Sequence, residues 1–235
     1  MKLRFTKMQA QGNDFVILDG RHQTLPEPTP ALMMRLADRR TGIGCDQVLM
    51  LSPDPSADAR MRIFNPDGGE AGNCGNGLRC VGDLLLRELG KDSARIALAD
   101  RTVTACRSES GIRVEMGAAR ITGETTAHVD VELGNPHRVF FEAVEDFPTD
   151  RNIEIITGRV GPHAYIDIIE RGAGRTPACG SGACAVAAAI WHVEGAAEPV
   201  TVCMPGGDVT VSGDAEHLLL EGPVAHVFDG EIELS

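Results

Sequence analysis

The stretch Cys179-Gly180-Ser181-Gly182-Ala183-Cys184-Ala185-Val186-Ala187-Ala188-Ala189-Ile190-Trp191 carries no charged side chain, and from Gly182 onward it is apolar on every face a helix can present. A helix of that kind belongs inside a core, wrapped by other elements. Its opening, Cys-Gly-x-Gly, recurs at Cys74-Gly75-Asn76-Gly77. After it, Leu78, Val81, Leu85 and Leu89 fall three or four residues apart and the run stops at Gly90, which predicts a second helix over 75–89 with a glycine C-cap.

Further out, each cysteine turn has an asparagine turn upstream of it. Gly12-Asn13-Asp14-Phe15-Val16 precedes Cys74, and Gly134-Asn135-Pro136-His137-Arg138-Val139 precedes Cys179. The asparagine-to-cysteine separations are 61 and 44 residues, so the halves share an order of punctuation and not a strict period. A pattern this loose also arises by chance, and duplication and coincidence both stand at this level. Strand-like runs bounded by Gly, Pro, Asp or Asn fill most of the remainder, among them 2–8, 14–18, 47–51, 60–64, 137–144, 153–157, 164–170 and 217–221. After the proline-rich 25–30, residues 30–40 predict a surface helix with Leu32 and Leu36 inward.

Composition narrows the function classes. The chain has 235 residues and a formal charge of −12, which argues against nucleic acid or an anionic membrane as partner. No apolar run approaches the roughly 20 residues that span a bilayer. The start, Met1 to Met8, alternates polar and apolar residues like a strand and lacks a signal-peptide core, so the expected location is cytoplasmic. Seven cysteines, an odd number without a Cys-x-x-Cys pair, read as buried or reactive thiols in a reducing compartment, and a structural zinc site is not expected.

A Cys-Gly-x-Gly turn before a helix sets a thiol beside unpaired backbone N–H groups and the positive end of the helix dipole, which favours thiolate. The glycines also let those N–H groups approach a carboxylate. Two such turns facing one carbon suit a two-base reaction: one thiolate takes a proton from one face and the other thiol delivers one to the opposite face. The carbanion would lean on the N–H groups, with neither metal nor pyridoxal. A thiol-redox protein would also pair cysteines, usually without two glycine-rich anion nests.

The motifs Lys7-Met8-Gln9-Ala10-Gln11-Gly12-Asn13-Asp14-Phe15, Gly42-Ile43-Gly44-Cys45-Asp46-Gln47, Phe64-Asn65-Pro66-Asp67-Gly68, Cys74 to Cys80, Gly134 to His137, Glu170 to Gly174, Ala178 to Cys184 and Pro205-Gly206-Gly207 together resemble the diaminopimelate epimerase family nearly end to end. The resemblance implies an α+β fold of two pseudo-symmetric domains, each a β-barrel-like sheet around a central helix, with the active site in the interdomain cleft. The domains would be 1–117, completed by 225–235, and 118–224. It implies Cys74 and Cys179 as the acid/base pair, with Glu170 and His137 beside the thiols. Asn13, Gln47, Asn65, Asn135, Asn152, Glu170 and Arg171 would hold the substrate, and Gly75, Asn76, Gly180 and Ser181 would bind its reacting carboxylate. The partner would be a small-molecule amino-acid substrate, with no nucleic acid, no membrane, no cofactor and no metal; a homodimer is left open.

Some positions depart from the family pattern. Gln9-Ala10-Gln11 replaces a usual His-Gly approach to Asn13, Arg175 stands where a glutamate is usual, and the segments 117–131 and 141–152 are short. These bear on substrate identity more than on reaction type, and a racemase of another amino acid is the alternative. Each polar site residue also has a plainer reading, since asparagine in a turn commonly satisfies its own backbone and Glu170-Arg171 can be a surface ion pair. Cys45, Cys80, Cys106, Cys184 and Cys203 are expected to be core or incidental.

Overall fold

The computed structural model describes residues 1–234, which form three helices and eighteen strands, an α+β architecture. The chain divides into two compact units, Met1–Ile112 together with the segment from Val224 onward, and Arg113–Pro223. In the first unit the order is β1 (Lys2–Ala10), β2 (Asn13–Asp19), α1 (Pro30–Ala37), β3 (Gln47–Ser52), β4 (Ala59–Phe64), β5 (Glu70–Ala71), α2 (Gly75–Leu89), β6 (Ser93–Ala97) and β7 (Thr102–Ser108). Strand β8 (Gly111–Gly117) leads into the second unit. There follow β9 (Arg120–Glu124), β10 (His128–Glu132), β11 (Pro136–Phe140), β12 (Asn152–Val160), β13 (His163–Glu170), β14 (Gly174–Arg175), α3 (Gly180–Glu194), β15 (Val200–Met204), β16 (Gly207–Gly213) and β17 (Leu218–Gly222). Strand β18 (Ala225–Glu233) returns to the first unit.

Within the first unit β1–β2 pair antiparallel, β2–β3 parallel, β3–β4 antiparallel, β4–β5 antiparallel, β4–β6 parallel and β6–β7 antiparallel. Within the second, β10–β11, β11–β12, β12–β13, β13–β14, β13–β15 and β15–β16 repeat that order of senses. The repeat that is loose in sequence is therefore strict in topology, and it extends to register. Phe15 lies opposite Gln47 as His137 lies opposite Asn152, and Leu49 opposite Ile63 as Glu154 opposite Ile168.

Helix α3 is buried from Gly182 through Trp191, against β10, β11, β12, β15, β16 and β17, which is how its all-round apolar surface is removed from water. Helix α2 packs on β1, β2, β6 and β7. Both stop at a left-handed glycine, Gly90 (φ 63°) and Gly195 (φ 70°), where a side chain would be strained. Helix α1 starts at Pro30 after the Thr29 cap and ends at Ala37, earlier than the expected 40 because Asp38 turns extended. Its inner face is Met33, Leu36 and Ala37, with Leu32 only partly covered. The second unit has no such helix: Val144 and Phe147 from the irregular 141–151 segment pack on Phe140, Ile153 and Ile155 instead.

Strand β11 stops at Phe140 and not at 144, and β5, β9, β14 and β18 were not expected. Strands β5 and β14 have two residues each and no period to read. Strand β18 is polar and mostly exposed, held by its ladder to β1. Its Gly230 lies opposite Phe5, where a Cβ would come within 2.5 Å of the ring.

Candidate active site

Both singled-out cysteines are helix N-caps. Cys74 is extended (φ −154°) and its Sγ accepts the Gly77 N–H at 3.3 Å; Cys179 (φ −134°) accepts the Gly182 N–H at 3.3 Å. A cap side chain takes up one of the first-turn donors that the helix leaves unpaired, and a sulfur there faces the positive end of the dipole. The Cys179 thiol also meets Ser181 Oγ at 3.4 Å. Cys80 and Cys184 lie deeper in the same helices and are fully buried; burial raises the Cys80 thiol far above its ordinary range. Burial likewise pushes Cys45 up to about 12 and Cys203 to about 11.

The surroundings of Cys179 are acidic and buried. The residue is 6% exposed and its thiol lies well above the ordinary thiol range, first through burial and then through the carboxylates of Glu170 and Glu154. Glu170, at the end of β13, is itself raised, mainly by burial, with the Thr176 hydroxyl and the Cys179 thiol pulling the other way. Behind them His137 and Glu154 are both fully buried. His137 Nδ1 lies 2.8 Å from Glu154 Oε1, and Nε2 lies 3.1 Å from Asn135 Oδ1. The second oxygen of Glu154 has no hydrogen-bond partner among the described residues. A Cβ on Gly182 would stand 2.5 Å from Glu154 Oε1 and 3.2 Å from Cys179 Cβ, so the carboxylate is pressed against the first turn of α3.

Around Cys74 the corresponding wall is apolar. A Cβ on Gly77 would meet Leu49 Cδ1 at 3.2 Å and Cys74 Sγ at 3.4 Å, and Leu49 and Phe15 are fully buried. The polar groups here form a chain of amides. Arg79 donates to Asn76 Oδ1 and to Gln11 Oε1, both at 2.6 Å; Asn76 Nδ2 donates to Asn13 Oδ1 at 3.2 Å; Asn13 Nδ2 donates to Asp46 Oδ2 at 2.9 Å. A guanidinium only donates and a carboxylate only accepts, so the two ends set the orientation of both asparagines. Asp46 continues into a charged cluster with Arg39, Asp14 and Lys7. Burial opposes ionisation of Asp14, but Arg39 and Lys7 outweigh it and hold the carboxyl at about 2.

The first unit thus brings together Asn13, Gly75, Asn76 and Cys74, and joins Gln47 to Asn65 by a 2.8 Å hydrogen bond. The second brings together Asn135, His137, Glu170, Cys179 and Ser181. Asn152 accepts the backbone N–H of Arg171 at 2.9 Å, and Arg171 is exposed. These asparagines bond other residues' groups rather than closing turns on themselves. Arg175 pairs with Asp167 at 2.9 Å on the surface. Gln9 accepts the Gly12 N–H, and Gln11 adopts a left-handed φ of 51°. Sequence reasoning passed over Glu154, Arg79 and Asp46. For Glu154 a signal existed: a lone acid in the apolar run Asn152-Ile153-Glu154-Ile155-Ile156.

The profile described as "Diaminopimelate epimerase" matches residues 5–122 and 129–227. The diaminopimelate epimerase of Erythrobacter litoralis is 37% identical over 269 residues, covering 99% of this chain and 98% of that protein. That of Rhodospirillum centenum is 39% identical, covering 99% and 93%. Among solved structures, a phenazine biosynthesis protein of the PhzF family from Bacillus anthracis superposes with a TM-score of 0.79 over the whole of both chains at 18% identity. A hydroxyproline epimerase from Agrobacterium vitis superposes at 0.72, covering 98% of this chain and 92% of that one at 15% identity. At those identities the structural likeness speaks for the fold.

Proposed function

The chain belongs to the diaminopimelate epimerase family, and on that premise we propose that it interconverts L,L- and meso-diaminopimelate through two cysteines, as a cytoplasmic step of lysine and peptidoglycan-precursor biosynthesis. The observation that carries the mechanism is that Cys74 and Cys179 are both N-caps of glycine-opened helices, each sulfur accepting a first-turn N–H at 3.3 Å. In this reading one cysteine, as thiolate, takes the α-proton and becomes a thiol. The electron pair left on the α-carbon then takes the proton of the other thiol on the opposite face, which becomes the thiolate.

The N–H groups of Gly75, Asn76, Gly180 and Ser181 supply the charge stabilisation that the carbanion beside a carboxylate needs. Asn13, Gln47, Asn65, Asn135, Asn152 and Arg171 hold the remaining polar groups of the substrate, Arg171 offering its planar fork to the distal carboxylate. Glu170 and His137 set charge around Cys179. The reaction so written needs neither metal nor pyridoxal phosphate.

The test is label uptake. In heavy water the protein is expected to incorporate deuterium at the α-carbon of L,L- and meso-diaminopimelate, and far more slowly into lysine, histidine or glutamate. No uptake into diaminopimelate, or comparable efficiency with a monocarboxylic amino acid, would overturn the substrate assignment.

A further inference from the structure

We propose that Glu154 is a positioning residue for this reaction: it holds a hydrogen on Nδ1 of His137 and so determines how the ring's Nε2 meets Asn135 beside the Cys179 turn. The proposal rests on the family reading above for its kinetic consequence, and on the two units for its geometry. In the duplicated register Glu154 occupies the place of Leu49, and His137 the place of Phe15. All four side chains are fully buried, and Leu49 and Glu154 each lie against the third helix residue of the cysteine-capped turn, Gly77 and Gly182.

One architecture has therefore been built twice with opposite chemistry at the same two positions. The first unit shows that an aromatic and an aliphatic side chain satisfy the packing. An ionisable pair at the same site must be desolvated, and burying it gives no packing advantage over apolar residues of similar volume. Here one carboxylate oxygen even lacks a partner among the described residues, a further cost. A buried pair that packing does not require points to a role outside the fold.

The hydrogen bonds say what that role is. With Glu154 as the acceptor, the 2.8 Å contact with Oε1 keeps hydrogen on Nδ1 and disfavours the tautomer protonated on Nε2 alone. Nε2 then faces the Asn135 side chain at 3.1 Å, either as acceptor from its nitrogen or, in the imidazolium, as donor to its oxygen. The chain Glu154–His137–Asn135 thus holds in place the amide assigned to the substrate, its orientation following the charge state of the ring, whereas Asp46 fixes the orientation of Asn13 in the other unit outright. The titratable groups around Glu154 are His137 on β11, Glu170 on β13 and Cys179 at the head of α3.

The full chain carries the test. Glu154→Leu copies Leu49 and is expected to lower kcat/KM for diaminopimelate at least tenfold, because the amide it leaves unheld is one that binds the substrate. Glu154→Gln keeps an acceptor opposite Nδ1 and should recover most of the loss. The double variant His137→Phe/Glu154→Leu reproduces the other unit's pair; it should melt no lower than the parent and stay as slow as Glu154→Leu. With 15N-labelled histidine, the His137 ring should show protonated Nδ1 in the parent and in Glu154→Gln, and bare Nδ1 in Glu154→Leu. Parent-like kcat/KM in Glu154→Leu, a bare Nδ1 in the parent, recovery of activity in the double variant, or its failure to fold would each overturn the proposal. If the parent turned over no diaminopimelate, the family reading would fail, and the ring signature would still decide whether Glu154 sets the tautomer.

Discussion

The first turns of α2 and α3 have the same cap, the same glycine at the third helix residue and the same order of paired strands beneath them, yet their walls are Phe15 with Leu49 in one case and His137 with Glu154 in the other. Where the first unit needs polar order it obtains it sideways, from Arg79 through Asn76 and Asn13 to Asp46. The second places its polar groups directly behind the thiol. The difference teaches that this fold asks only for volume behind the cap, since replacing a buried ion pair by apolar residues is often neutral or stabilising by about 1–4 kcal/mol.

The comparison can be broken at several levels. The largest effect is expected at the caps themselves: Cys74→Ala and Cys179→Ala should each reduce epimerisation by about a thousandfold or more while circular dichroism stays native, because a two-base reaction needs both faces. Turnover near the parent rate in either variant would remove the functional equivalence of the turns. Next comes substrate capture. Arg171→Lys loses the planar fork and should raise KM for diaminopimelate by about ten- to a hundredfold, with Cys179 still open to alkylation; an unchanged KM would release Arg171 from the site.

The acidic wall around Cys179 should show in its reactivity. A carboxylate beside a thiol disfavours the thiolate, and Glu170 is the largest charge raising Cys179. Glu170→Gln is therefore expected to move the pH profile of Cys179 alkylation, followed by peptide mapping, to lower pH. A profile that stays put or moves up would contradict the charge assignment.

Two smaller effects probe the packing. Gly77→Ala should be close to neutral, the contact with Leu49 at 3.2 Å being set against about 1 kcal/mol of helix propensity. Gly182→Ala forces Glu154 off its place and should cost about 1–3 kcal/mol in denaturant unfolding. Equal stabilities would mean that Glu154 is not held. The smallest effect is Arg39→Gln, about 0.5–1 kcal/mol at pH 7, since the arginine of this ion pair is more than half exposed although Asp14 is largely covered. Asp14 titrates lower in the folded chain, at about 2, than its ordinary 3.8, so its contribution is present above pH 4 and fades as pH falls toward 2. The deficit of the variant should fade over the same window; a deficit unchanged at pH 2 would place the effect elsewhere.

By itself the sequence determined that both cysteine turns open helices and, for α2, the period and the glycine stop, because these are local properties that neighbouring residues write in full; the extent of α3 to Glu194 and its stop at Gly195 came from the structure. The sequence also determined the family, through motifs spread over nearly the whole chain. Strand pairing was another matter: β5 and β14 are too short to carry a period, and β18 is a polar strand held by its ladder to β1. Only the tertiary structure showed that a loosely spaced repeat is a strict one in topology, since insertions such as α1 lengthen loops without changing which strands pair. It alone decided the environment of Glu154. A lone acid among isoleucines marks a position as unusual but does not say what covers it; the fold places Glu154 against the first turn of α3 and within hydrogen-bond reach of an imidazole, and burial of that kind is set by residues distant in the chain, 17 residues back at His137 and 25 residues on at Cys179, rather than by the residues beside it.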